Sequence, residues 1–220
     1  MRRSDSQFSP ISVQRRRLLR LGLALLGTPT ILSAAAAEKK PDPTSAKSRR
    51  TVPPASVYLL RGFANIFSTG IDAIGADLRA AGIVTHVESH AAWRLVAETI
   101  IADRQKLGPQ PVILIGHSLG ANAIIAIAAI LDKHAIPVDY LASFAATAPD
   151  PLPKNVKKAV NFYFSHHGWG LPLKAGPGFR GKLNNRDFSG VKDVGHFNIE
   201  KQRPLQQEVV QQVIALVKKG

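Results

Sequence analysis

Apolar positions follow two rhythms along this chain. Short runs rich in β-branched and apolar residues, Ser56 to Arg61 (SVYLLR), Ile83 to Val87, Pro111 to Ile115 (PVILI), Val138 to Phe144 and Ala159 to Phe164, have the length of buried strands. Around them, apolar residues three and four apart predict helices. These are Thr69 to Ala81 (Ile71, Ile74, Leu78, Ala81), Trp93 to Leu107 (Val96, Ile100, Leu107), Ser118 to Lys133 (Ala121, Ile124, Ile125, Ala128, Leu131) and Pro204 to Lys218 (Leu205, Val209, Val213, Ile214). Thr69 is the predicted cap of the first helix and Gly82 its stop, and Gly108-Pro109 ends the second. Pro111 to Ile115 is apolar on both faces, as a strand covered from both sides requires. Strands alternating with helices predict an α/β fold, a mostly parallel sheet of about five to six strands with helices on both faces. From Ser165 to Gly195 neither rhythm holds, which predicts a loop of roughly 30 residues rich in Gly, Pro and His.

The N-terminus has a different character. Arg2, Arg3, Arg15, Arg16, Arg17 and Arg20 stand against one acid, Asp5; an apolar stretch follows from Leu21 to Leu32, then small residues from Ala34 to Ala37. Basic, apolar, small is the order of an export signal, and QRRRLLR at Gln14 to Arg20 looks like a twin-arginine motif. The expected organisation is a signal over 1–37 with cleavage near Ala37, a Lys-, Arg-, Pro- and Ser-rich linker over 38–54, and the α/β domain over 55–220, placed in the periplasm or secreted.

Charge and composition narrow the classes. Lys and Arg number 29 and Asp and Glu 15, a formal charge of +14. Six of those bases and one acid lie in 1–37, so the mature chain would keep 23 − 14 = +9. That excess suits an anionic envelope surface. No basic helix with interleaved aromatics points to nucleic acid. The sequence has no Cys, which excludes disulfides, thiolate metal sites and a Cys nucleophile. No apolar run reaches the roughly 18 residues of a membrane span. His166-His167 has no carboxylate at ligand spacing nearby, so no metal is expected, and no cofactor is implied.

One motif carries chemistry. Gly116-His117-Ser118-Leu119-Gly120 follows a predicted buried strand and opens a predicted helix. Strand, G-x-S-x-G and helix is the order of a nucleophile elbow, a sharp turn that lifts a serine hydroxyl above the sheet. The helix N-terminus beneath it favours developing negative charge. With this elbow in an α/β alternation, the stretch from Ser56 to Gly220 resembles the α/β-hydrolase superfamily, and looks like a small lidless member similar to exported esterases, lipases and thioesterases.

The resemblance implies the order nucleophile, acid, histidine. Ser118 is the implied nucleophile. The implied base is His196, in Val194 to Asn198 (VGHFN) before the last helix, with His166 and His167 as runners-up. His86 and His90 precede the nucleophile, His117 lies inside the elbow, and His134 ends a helix. The acid departs from the family's pattern. The loop after Phe164 holds none until Asp187, and the loop after Phe144 starts with Ala145-Ala146 before Asp150. Asp150 is the first candidate, Asp193 and Asp187 are alternatives, and a dyad without an acid stays open. The implied oxyanion donors are the N–H groups of Leu119 and of Phe63, with Ala64 next, in the turn after the first strand. Many members have His-Gly in that turn, where this chain has Arg61-Gly62; Arg61 could recognise an anionic substrate group. Phe63, Phe67 and Trp169 could line an acyl pocket, as could Trp93.

The reading is an exported serine hydrolase acting on carboxylic esters, its substrate a small-molecule or lipid acyl ester. The alternatives are a thioesterase or acyltransferase, and a catalytically inactive hydrolase fold that binds a ligand at the envelope.

Overall fold

The structure is a computed structural model that describes residues 55–63, 68–166 and 169–219. The expected signal over 1–37 and linker over 38–54 lie outside the described residues, as do Ala64, Phe67 and His167.

Six parallel strands form one sheet in the order β2-β1-β3-β4-β5-β6. They are β1 (Ser56–Arg61), β2 (His86–Ser89), β3 (Val112–His117), β4 (Tyr140–Phe144), β5 (Lys158–Tyr163) and β6 (Lys182–Asp187). The helices are α1 (Thr69–Ala80), α2 (Trp93–Leu107), α3 (Leu119–Lys133) and α4 (Arg203–Val217). The predicted α/β architecture is therefore the observed one.

Alternate residues of the central strands feed two cores. Tyr58, Leu60, Val112, Leu114 and Leu141 pack with α2 and α3, while Val57, Leu59, Ile113, Ile115, Tyr140 and Ala142 pack with α1 and α4. The period of two thus divides each apolar run between helix layers on opposite faces. Among the described residues no helix is long and apolar enough to cross a membrane.

The differences from the predicted elements have local causes. Ile83 N–H bonds back to Leu78 O and Gly82 N–H to Arg79 O, with Gly82 at φ 82°. Residues expected in β2 therefore close the end of α1, and the strand starts at His86. β3 runs on to His117 because Gly116 and His117 keep register with Ser143 and Phe144 of β4. Val138 keeps only a single bridge, to Val156.

The segment expected as a loop from Ser165 to Gly195 contains β6. Its sequence, KLNNRD, is polar because it is an edge strand, covered by the sheet on one side only. Amides hold it in place. Asn161 Nδ2 donates to Asn185 Oδ1, Leu173 N–H donates to the same oxygen, and Asn185 Nδ2 donates to Leu173 O.

Candidate active site

Ser118 joins the C-terminal end of β3 to α3 at φ 58° and ψ −121°, a region that costs an L-residue about 1–3 kcal/mol. Three neighbours hold it there. Its N–H donates to Phe144 O at 2.9 Å, and its carbonyl accepts from Ala121 and Asn122 N–H. Gly116 and Gly120 let the elbow close, because a Cβ on Gly116 would stand 2.4 Å from Gly120 O. A serine before a helix normally caps it. Here the hydroxyl makes no cap bond and points instead to a histidine. Helix α3 accordingly begins at Leu119, one residue after the predicted start, and the Leu119 N–H has no acceptor within the helix.

That histidine is His196, whose Nε2 lies 3.0 Å from Ser118 Oγ. Its Nδ1 lies 3.3 Å from the main-chain carbonyl of Trp169, which can only accept, so Nδ1 carries the hydrogen. Nε2 then offers its lone pair to the serine hydroxyl. Burial pushes the His196 pKa below 6.5, and the Trp169 carbonyl opposes only part of that shift, so the ring is neutral at neutral pH. Its loop is braced by Asn198, whose Oδ1 accepts from Gly195 N–H while its Nδ2 donates to Asp193 O.

None of the three acids expected from the sequence reaches this ring. Asp150 and Asp193 are exposed, and no carboxylate among the described residues hydrogen-bonds His196 Nδ1. Asp187 accepts from the backbone N–H of Ser165 and from Ser189, bonds that hold its carboxyl well below the usual range. The place of an acid after β4 is taken by Ala145 and Ala146, both fully buried. Their small side chains let the following segment approach. Leu171 N–H donates to Ala146 O, and a Cβ on Gly170 would already stand 3.1 Å from Ala145. This close packing brings the Trp169 carbonyl to His196.

The other candidates have other partners. Arg61 is paired through its guanidinium with Asp72 of α1 rather than left for an anionic ligand. His166 is exposed, with Nδ1 on its neighbour Ser165 Oγ. His86 stacks on Tyr58, and His90 Nδ1 meets Gly62 O. Trp93 packs on the core under Arg94. Thr69 does not cap α1. Ser68 occupies the cap position and turns its hydroxyl to the Gly62 N–H and to His117 Nδ1. Ser68 carried no signal that separated it from a helix cap, and the role of Trp169 is played by a main-chain atom.

Ser118 and His196 open into a cavity of about 850 Å³ lined by Phe63, Ser68, His117, Leu119, Thr147, Trp169 and Phe197. Phe63, Trp169 and Phe197 are each more than half exposed at its rim. Trp169 and Phe197 both meet the His196 ring edge to face. Such a wall takes apolar groups. Among the described residues no cluster of three His, Asp or Glu could hold a metal.

A second ionisable group lies behind the elbow. Glu200 is fully buried, its Oε2 3.7 Å from His117 Nε2, and neither oxygen has a well-formed hydrogen bond. Burial raises its pKa from 4.5 to about 7. A raised carboxyl pKa gives stability that is whole below pH 4.5 and is lost as pH rises through 7, about 3 kcal/mol in all for this shift. Glu200→Gln is therefore expected to melt about 6–12 °C above the wild type at pH 8, and the gap should close towards pH 5. Parallel melting-temperature profiles for the two proteins would contradict this.

The C-terminal edge of a parallel sheet, the elbow after β3 and the histidine between β6 and α4 together decide the fold type. It is a parallel α/β fold with a strand–serine–helix elbow at the C-terminal edge of its sheet. No family model and no curated protein sequence matches the chain. Among solved structures, one similar chain is a candidate hydrolase of the alpha/beta superfamily from Xanthomonas campestris pv. campestris, with 14% identity and a TM-score of 0.45 over 74% of this chain and 99% of that one.

Proposed function

We propose that this chain is an exported serine hydrolase that cleaves carboxylic esters with apolar acyl groups. The observation that carries the reading is the 3.0 Å approach of Ser118 Oγ to His196 Nε2 at a strained elbow that opens into an aromatic-rimmed cavity. Export rests on the order of basic, apolar and small residues in 1–37.

In this reading Ser118 Oγ attacks the ester carbonyl while His196 Nε2 takes its proton. The Leu119 and Phe63 N–H groups receive the developing oxyanion. His196 then returns the proton to the departing alcohol, and water releases the acyl group by the same steps in reverse roles. The Trp169 carbonyl keeps the hydrogen on Nδ1, so the useful tautomer is preserved. A carbonyl carries only a partial charge and steadies the imidazolium less than a carboxylate does. That favours esters over amides, whose poorer leaving group asks more of the acid step. A thioester substrate, or an alcohol acceptor in place of water, uses the same groups.

A fluorophosphonate probe tests the reading. The wild-type protein is expected to be labelled and Ser118→Ala is not. A folded wild-type protein that resists the probe would overturn the reading and favour a binding protein, for which the missing carboxylate and the aromatic cavity would then speak. The cavity wall adds a second expectation. With p-nitrophenyl esters, kcat/KM should climb from acetate to hexanoate by about two- to four-fold per methylene, the scale of burying one CH₂. A flat series would sink the apolar acyl preference.

A further inference from the structure

His117 precedes the nucleophile, and no step above uses its side chain. The ring is 1% exposed, and both nitrogens are engaged. Nε2 lies 2.8 Å from the main-chain carbonyl of His196, and Nδ1 lies 2.8 Å from Ser68 Oγ. The Ser68 oxygen in turn accepts from Gly62 N–H at 2.9 Å. One side chain thus reaches the turn after β1, on which Phe63 sits, and the loop that carries the base.

Donors and acceptors close in one way. A carbonyl only accepts, so His117 Nε2 carries the hydrogen, and Glu200 Oε2 stands 3.7 Å away on that side, beyond hydrogen-bond reach. In a neutral ring Nδ1 is then bare and accepts the Ser68 hydroxyl hydrogen, which leaves the Ser68 oxygen to accept from Gly62. Every group in the chain Gly62, Ser68, His117, His196 is used once in its proper sense. The ring is kept neutral by burial, with a pKa of about 4, to which the nearby His196 and Lys201 also contribute.

We propose that His117 is a positioning residue that fixes the backbone of the base, His196, relative to the turn after β1, a task that the missing carboxylate leaves to other groups. The proposal rests on the hydrolase reading above. With only a carbonyl on Nδ1, His196 is held at two points, its ring by Trp169 O and its own backbone carbonyl by the His117 side chain. The two imidazoles lie side by side, centroids 5.1 Å apart.

The test compares the wild type with His117→Phe, which keeps a ring but no donor, and His117→Gln, which restores an N–H at similar reach. His117→Phe is expected to slow probe labelling and ester kcat by about 10- to 100-fold with KM within about two-fold, the scale of a misplaced catalytic group. His117→Gln should recover about ten-fold of that loss. Wild-type rates in His117→Phe would overturn the proposal. So would a loss that follows the melting temperature and is not recovered in His117→Gln. If the wild type itself is not labelled, the hydrolase reading fails separately. ¹⁵N spectra of the imidazoles then judge the tie, which requires a proton on His117 Nε2 and a bare Nδ1 from pH 8 down to about pH 4. A proton on Nδ1 at pH 7 would overturn it.

Discussion

His196→Gln is expected to lower ester turnover by about 10³-fold or more, while Asp150→Asn, Asp193→Asn and Asp187→Asn each stay within about three-fold of the wild type. The first effect follows from the 3.0 Å contact with Ser118, because without the imidazole no other described group is in contact with the serine hydroxyl to take its proton. Where a carboxylate backs the histidine, removing the base costs still more, about 10⁶-fold. The smaller figure here reflects a starting point already weakened by a carbonyl partner. The second effect follows from position. Asp150 and Asp193 are exposed and make no bond to His196, and an Asn at 187 keeps the Oδ1 that accepts from Ser165 and Ser189. Steady-state rates with a p-nitrophenyl ester, normalised to probe-titrated sites, measure all four. A hundred-fold loss in any one Asp variant would identify a carboxylate that moves onto the ring during turnover.

The same comparison shows which parts of the site were legible in the chain. The sheet and its helices were, because burial on both faces leaves long apolar runs at β1 and β3 and clear three-and-four spacing in α2 and α3. The elbow was, because two close backbone approaches demand Gly116 and Gly120 on either side of Ser118. Strand β6 was not. As an edge strand it needs no apolar face, and its Lys182, Asn184 and Asn185 read as loop. The partner of His196 was not legible either. A side-chain acid leaves a letter in the sequence, whereas a main-chain carbonyl leaves none. Only Ala145-Ala146, small where a carboxylate was expected, marked the place that the Trp169 segment fills. His117 stood out in the sequence only as an elbow neighbour, and Ser68 not at all, the predicted cap being Thr69. Their shared role depends on the turn after β1 and the His196 loop meeting behind the elbow, a contact between residues 49 and 79 positions apart.

Gly120→Ala is expected to be the most damaging small substitution at the elbow, with a loss of about 3 kcal/mol or more in unfolding free energy. A Cβ at 120 would stand 2.1 Å from Leu60 O, 2.7 Å from Leu60 C and 2.9 Å from Arg61 O. All three are backbone atoms of β1, a strand fixed between β2 and β3, so no rotamer change relieves the contact. Helix α3 would have to lift off β1, and Ser118 stands one residue before that helix, tied to it by the bonds from Ala121 and Asn122 N–H. Stability and the nucleophile are therefore expected to fall together. Gly190→Ala is the control, since a Cβ there meets nothing within 4 Å, and its unfolding free energy from urea titration should stay within about 0.5 kcal/mol of the wild type. If Gly120→Ala instead unfolds with the wild-type midpoint, α3 does not rest on β1 as described. The close approach that sets the elbow's height above the sheet would then have to come from Gly116 alone.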